Sequence, residues 1–79
     1  HNSGQSNRYY DTRAQLDDVR FRLQNLRQKE RRISNRLQYE YRPRLAHRHQ
    51  EVCREIERLQ RKKRRLKKRL RRMQYASYR

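Results

Sequence analysis

From Leu16 onward the apolar residues of this chain fall at alternating steps of three and four: Leu16, Val19, Leu23, Leu26, Ile33 and Leu37, with Glu30 the one polar occupant of the series. A mean repeat of 3.5 residues sets them on one stripe of an α-helix, the seam of a coiled coil. The repeat resumes in the second half as His49, Val52, Ile56, Leu59, Lys63, Leu66, Leu70 and Met73. Upstream, Thr12 and Gln15 have capping-box spacing, in which each side chain bonds the other's free backbone amide. The pattern therefore predicts a helix over 12–41 that starts near Arg13, preceded by a polar, aperiodic lead-in over 1–11 that reads as flexible. A second helix is predicted over 45–75, with a frayed end over 76–79.

The two stripes do not share one frame. Between them the steps run Leu37, Tyr41, Leu45, His49, all of four, and Pro43 lies inside that interval. Proline inside a helix removes a donor and clashes with the preceding turn, whereas it is tolerated in the first turn of a new helix. Residues 42–44 are thus either a corner or a kink. A kinked single helix would be a rod about 90 Å long at 1.5 Å per residue. The segment "YEYRPRLA" offers no Gly, Asn, Asp or Ser for a tight turn, which counts against the corner.

Folding back at Arg42 and Pro43 nevertheless sets Ile33 beside Val52, Leu26 beside Leu59, Val19 beside Leu66 and Leu16 beside Leu70. It also brings Asp17 and Asp18 near Lys67, Lys68 and Arg69, and Glu51, Glu55 and Glu57 near Arg27, Lys29, Arg31, Arg32 and Arg36. Acids on each half would meet bases on the other, so an all-α antiparallel hairpin without a globular core is the favoured fold. A parallel homodimer is disfavoured, because the positions flanking the seam are almost all basic and would repel their own copy.

Composition sharpens this. The chain has 79 residues, 25 basic and 8 acidic, a net charge of +17 and only 30% hydrophobic residues. A two-layer domain with its own core is not expected from such a chain. No apolar run exceeds two residues, so neither a membrane span nor a secretory signal is expected. A start at His1 is expected of a processed chain or a fragment. The lone Cys53 leaves no internal disulfide and fits a reducing compartment.

The charge is unevenly placed. All acids lie at or before Glu57, and the last 22 residues hold twelve basic residues and no acid. With the seam on one stripe, Arg58, Arg61, Lys62, Lys63, Arg64, Arg65, Lys67, Lys68, Arg69, Arg71 and Arg72 would cover the helix and face a polyanion. Phosphate neutralisation releases counterions, and arginine's planar fork holds two phosphate oxygens at once. RNA is favoured over DNA. A zipper-type DNA reader carries its basic region before its leucine repeat and dimerises in parallel, whereas here the basic run overlaps the repeat at the far end.

The six tyrosines sit at the ends and the corner, where rings could stack on unpaired bases. Local packing over the helix ends is the preferred reading of them. His49, Cys53 and Glu57 share a helix face near His47, a ligand pattern that would need further donors from a partner. No metal or cofactor is assigned. No Gly-rich loop or nucleophile arrangement is present, so no enzyme is expected. "KKRR" at Lys62 to Arg65 would serve as a nuclear import signal, and a basic amphipathic helix could lie on an anionic membrane. Against the membrane, the apolar stripe carries no Trp or Phe, and Phe21 lies off it.

The chain matches no specific family motif. In composition it is similar to the small basic helical proteins that fill gaps in ribosomes, mitochondrial ones especially. It resembles in kind the arginine-rich helices of viral RNA-binding proteins. The expectation is a non-catalytic structural RNA-binding component of a ribonucleoprotein, a mitochondrial ribosomal protein being favoured. The alternative is a coiled-coil module that binds an acidic protein helix or DNA in a nuclear or cytoskeletal assembly. In either case neighbouring proteins could pack along Leu16, Val19, Leu23, Leu26, Ile33, Leu37, Val52, Ile56, Leu59, Leu66, Leu70 and Met73.

Overall fold

The computed structural model describes residues 3–77, with side chains over 8–75. It contains two α-helices, α1 (Ser3–Tyr39) and α2 (Pro43–Ser77), packed against each other as an antiparallel hairpin. The molecule measures 59 × 16 × 14 Å. Since α1 alone, with 37 residues, is roughly 55 Å long at 1.5 Å per residue, this length is that of one helix and excludes the kinked rod.

Both segments are built from good helix formers, chiefly Arg, Leu, Gln, Lys and Glu, and carry no interior proline. Local pairs add support on the outer faces. Arg13 and Asp17 (3.9 Å), Arg22 and Asp18 (3.0 Å), and His47 and Glu51 (3.1 Å) meet at i,i+4, and Arg58 meets Glu55 at i,i+3. Such exposed pairs contribute only about 0.2–0.5 kcal/mol each. Stability resides in the seam. Leu16, Val19, Leu23, Ile33, Val52, Leu59, Leu66 and Leu70 are buried, and Leu26, Leu37, Ile56 and Met73 are half-buried. Full burial of one such side chain contributes about 1.5–3 kcal/mol. The core is this single line of side chains, densest where Leu16, Val19 and Leu23 meet Leu59, Leu66 and Leu70.

The helix boundaries differ from those the sequence predicts. α1 begins at Ser3, so the segment from Ser3 to Asp11 is helical rather than a flexible lead-in. Thr12 is therefore not a cap. It is buried, with 4% of its surface exposed, and its Oγ1 donates to the Arg8 carbonyl (2.8 Å), while Gln15 Nε2 donates to Asp11 Oδ2 (3.1 Å). The reason is that the seam continues upstream: Tyr9 and Thr12 extend the same three-and-four spacing, and half-buried Tyr9 packs on the core. Gly4, the one helix-weakening residue there, falls in the first turn, where it costs little. At the other end α2 runs to Ser77, beyond the predicted limit at 75, and the remaining residues of the predicted frayed end, 78–79, lie outside the described residues.

The reversal occupies Glu40–Arg42 rather than 42–44, and Pro43 is the first residue of α2. Pro43 lacks the N–H that would continue the ladder of α1, and it disfavours helical geometry at Arg42. The ends are satisfied locally. The Glu40 N–H donates to the Arg36 carbonyl and the Ala46 N–H to the Arg42 carbonyl, each at 2.9 Å, and Arg42 pairs with Glu40 at 3.3 Å. Among the described residues none has positive φ, which is why the turn needs no Gly or Asn.

Moving the reversal towards the N-terminus slides the pairing along the seam. Glu30 Oε2 meets His49 Nε2 at 3.5 Å, and Gln74 Nε2 approaches the Tyr9 hydroxyl at 3.4 Å. A corner at Arg42 and Pro43 would instead have set Glu30 opposite Glu55. The expected cross-helix charge pairing is also corrected. Among the described residues the only contact between a carboxylate and a basic side chain that joins the helices is Glu30–His49, an ion pair when the imidazole is protonated; Asp17, Asp18, Glu51 and Glu55 pair within their own helices. Short i,i+4 reach along one helix competes successfully with contacts across the seam.

Candidate nucleic-acid interface

α2 holds its basic residues in fixed directions because the seam fixes its rotation. With Val52, Leu59, Leu66 and Leu70 turned to α1, the basic residues from Arg58 to Arg72 cover the flanks and the outer face. All of them are exposed except Lys63, which is half-buried. Arg58 is tied to Glu55, and among the described residues none of the basic side chains from Arg61 to Arg72 has an ion-pair partner. The segment is a rigid helix presenting cations on several sides.

Lys63 occupies a seam position rather than the outer face. Desolvation by the surrounding packing lowers its pKa below 10.5, and the positive charges of Lys67, Arg27 and Arg20 lower it further. Two of those charges come from α1. Arg20, Arg27 and Arg31, with Leu23, Gln24 and Lys63, line a shallow groove of about 340 Å³ between the helices. From sequence the polyanion site is expected at 58–72 alone, with Arg27 and Arg31 facing glutamates. The sequence signal for the α1 part is the seven-residue spacing of Arg13, Arg20 and Arg27 directly beside the seam.

Other surfaces are less uniformly charged. A groove at the reversal is lined by Arg36, Arg44 and Arg48, but its Arg42 is bound to Glu40 and its His47 to Glu51. A third groove mixes Arg54, Arg58 and Arg61 with Glu51, Glu55 and Glu57. The cations of 61–72 and of the groove lined by Arg20, Arg27 and Arg31 thus have no carboxylate partner among the described residues, and the other surfaces are partly neutralised.

Comparison of the chain with protein-family models, curated proteins and solved structures gives no match. The site is therefore read from its own chemistry.

The tyrosines depart from the packing expected of them. Tyr9 does pack over the seam, edge-on to Tyr10 at 5.8 Å and 82°. Tyr39 and Tyr41, by contrast, flank the reversal with 89% and 76% of their surface exposed, and Tyr10 and Tyr75 are exposed as well. Tyr78 lies outside the described residues. Cys53 Sγ lies 3.9 Å from the His49 ring, whose Nε2 faces Glu30, and among the described residues no group of three potential ligands is arranged to hold a metal. No described helix is long and apolar enough to cross a membrane.

Proposed function

We propose that this chain is a non-catalytic, structural RNA-binding component of a large ribonucleoprotein of ribosomal type, with the mitochondrial ribosome as its favoured setting. The observation that carries the reading is the exposed basic surface of α2 from Arg61 to Arg72, which is held on a rigid helix and contains no carboxylate to match it. A polyanion with closely spaced charges satisfies such a surface, and release of its condensed counterions supplies the driving force. Cations on several sides of one rod suit folded RNA, where phosphates approach from more than one direction. The chain would act by neutralising and spacing RNA segments.

The alternative, a coiled-coil module for an acidic helix, needs an open apolar stripe. Here α1 covers that stripe, since Leu59, Leu66 and Leu70 are buried in the hairpin.

The test is the salt dependence of binding to a structured RNA hairpin, followed by fluorescence anisotropy. A steep linear fall of log K with log salt is expected, and Arg64→Gln, Arg65→Gln and Arg71→Gln together should reduce the slope by about 2, at roughly 0.7–0.9 per phosphate contact. A flat salt response in the unaltered chain sinks the reading. A matched DNA duplex bound as tightly as the RNA removes the preference for RNA.

A further inference from the structure

The groove at the middle of the hairpin presents a problem of energetics. Lys63 sits in the seam at a position where the repeat calls for an apolar residue, and Arg20, Arg27 and Lys67 act on it as like charges. Arg31 completes the groove wall. Among the described residues no carboxylate pairs with any of these five cations. Burying part of a charge beside like charges destabilises a fold, and a leucine at the same position would remove the cost. Where a chain departs from its own pattern in this way without a compensating contact, the compensation is expected from outside the chain.

We propose that Arg20, Arg27 and Arg31 of α1, with Lys63 and Lys67 of α2, form a seat for RNA phosphates, so that the bound strand crosses the hairpin from the basic helix onto α1. The inference rests on the RNA-binding reading above and extends it to residues far from the basic run in sequence. The groove is open and shallow, about 340 Å³, at the small end of the range for pockets that enclose a ligand. It therefore suits a backbone passing across it rather than an enclosed small molecule. Arginine supplies the planar, two-pronged donors that phosphate oxygens accept, and half-buried Lys63 adds a point charge to the lining.

The experiment compares two charge-matched triple variants in the full chain. Arg20→Gln, Arg27→Gln and Arg31→Gln together should lower the log–log salt slope for the RNA hairpin by about 2. The same number of charges removed at Lys29, Arg32 and Arg36, outside the groove, should leave the slope nearly unchanged. Helix content by circular dichroism should be retained in both. Because the groove triple relieves repulsion on Lys63, its thermal midpoint should rise by about 2 °C. If the triple fails to fold, Arg27→Gln alone carries the test, with an expected slope change of about 0.8.

Equal slope losses in the two triples overturn the seat, since net charge alone would then explain them. So does an unchanged slope in the groove triple while the variant at 64, 65 and 71 still lowers it, a result that leaves the RNA reading standing. If the groove triple weakens binding of a polyglutamate peptide but not of RNA, the groove docks acidic protein and the proposal falls. A flat response in the unaltered chain removes the RNA reading itself and is distinguishable from all of these.

Discussion

Lys63 shows how one residue can follow one pattern and violate another. By spacing it belongs to the seam, and by type it belongs to the basic run; the structure sets it on the seam, half-buried, among Arg20, Arg27 and Lys67. Its pKa is lowered in the folded chain, so between that value and 10.5 the folded state binds fewer protons than the unfolded one. Stability should then rise as pH rises through this window, while at and below the folded value the full cost of the charged lysine is present and this group adds no further pH dependence. Lys63→Met should raise the thermal midpoint near neutral pH and flatten this rise. Parallel melting curves of the two proteins between pH 8 and 10.5 test it, and an identical pH dependence in both counts against the assignment. Thr12 gives the converse case. Its spacing to Gln15 matched a capping box, but a short motif of this kind says nothing about whether helical structure is also stable upstream. The seam spacing of Tyr9 and Thr12 did contain that information.

At the level of elements, the two helices and their antiparallel pairing were legible because apolar spacing and proline chemistry are local and strong. The register was not. It depends on where the reversal sits, and Glu40–Arg42 against 42–44 is a difference that no turn residue marks. The antiparallel pairing forms without the cross-helix contacts expected of Asp17, Asp18, Glu51 and Glu55, since these four acids are held along their own helices. Pro43 is the residue that stops α1, as its missing N–H and its restriction on Arg42 leave no route to continue the helix. Pro43→Ala should therefore allow residues 40–42 to become helical. An extended chain exposes both seams and would recover their burial by pairing with a second copy, as in domain swapping. The expected result is a concentration-dependent dimer by light scattering, against a monomer for the unaltered chain. A strictly monomeric variant with unchanged helix content would show that the seam alone holds the reversal.

For the molecule as a whole, a net charge of +17 on a body 59 Å long is a standing source of self-repulsion. Screening should stabilise the hairpin, and a ligand that binds the folded form only should stabilise it further by mass action. Inorganic polyphosphate is expected to raise the thermal midpoint by several degrees more than sodium chloride at equal ionic strength. Equal effects would reduce the basic surface to a generic charge reservoir. The C-terminal part of that surface could be read directly from the sequence as a run of like residues. The part contributed by Arg20, Arg27 and Arg31 shows in the sequence only as a spacing beside the seam, and which residues of α2 it meets appears only once α1 lies against α2 in the observed register.

The cross-section of 16 × 14 Å carries a consequence for architecture. A single helix fills the major groove of B-DNA, about 12 Å wide, and the corresponding groove of an RNA duplex is deep and narrow. A pair of helices packed side by side is too thick to enter either one. If RNA is the ligand, the hairpin works between strands as a strut: its own thickness sets how closely two phosphate backbones can approach, and its charge makes that separation tolerable.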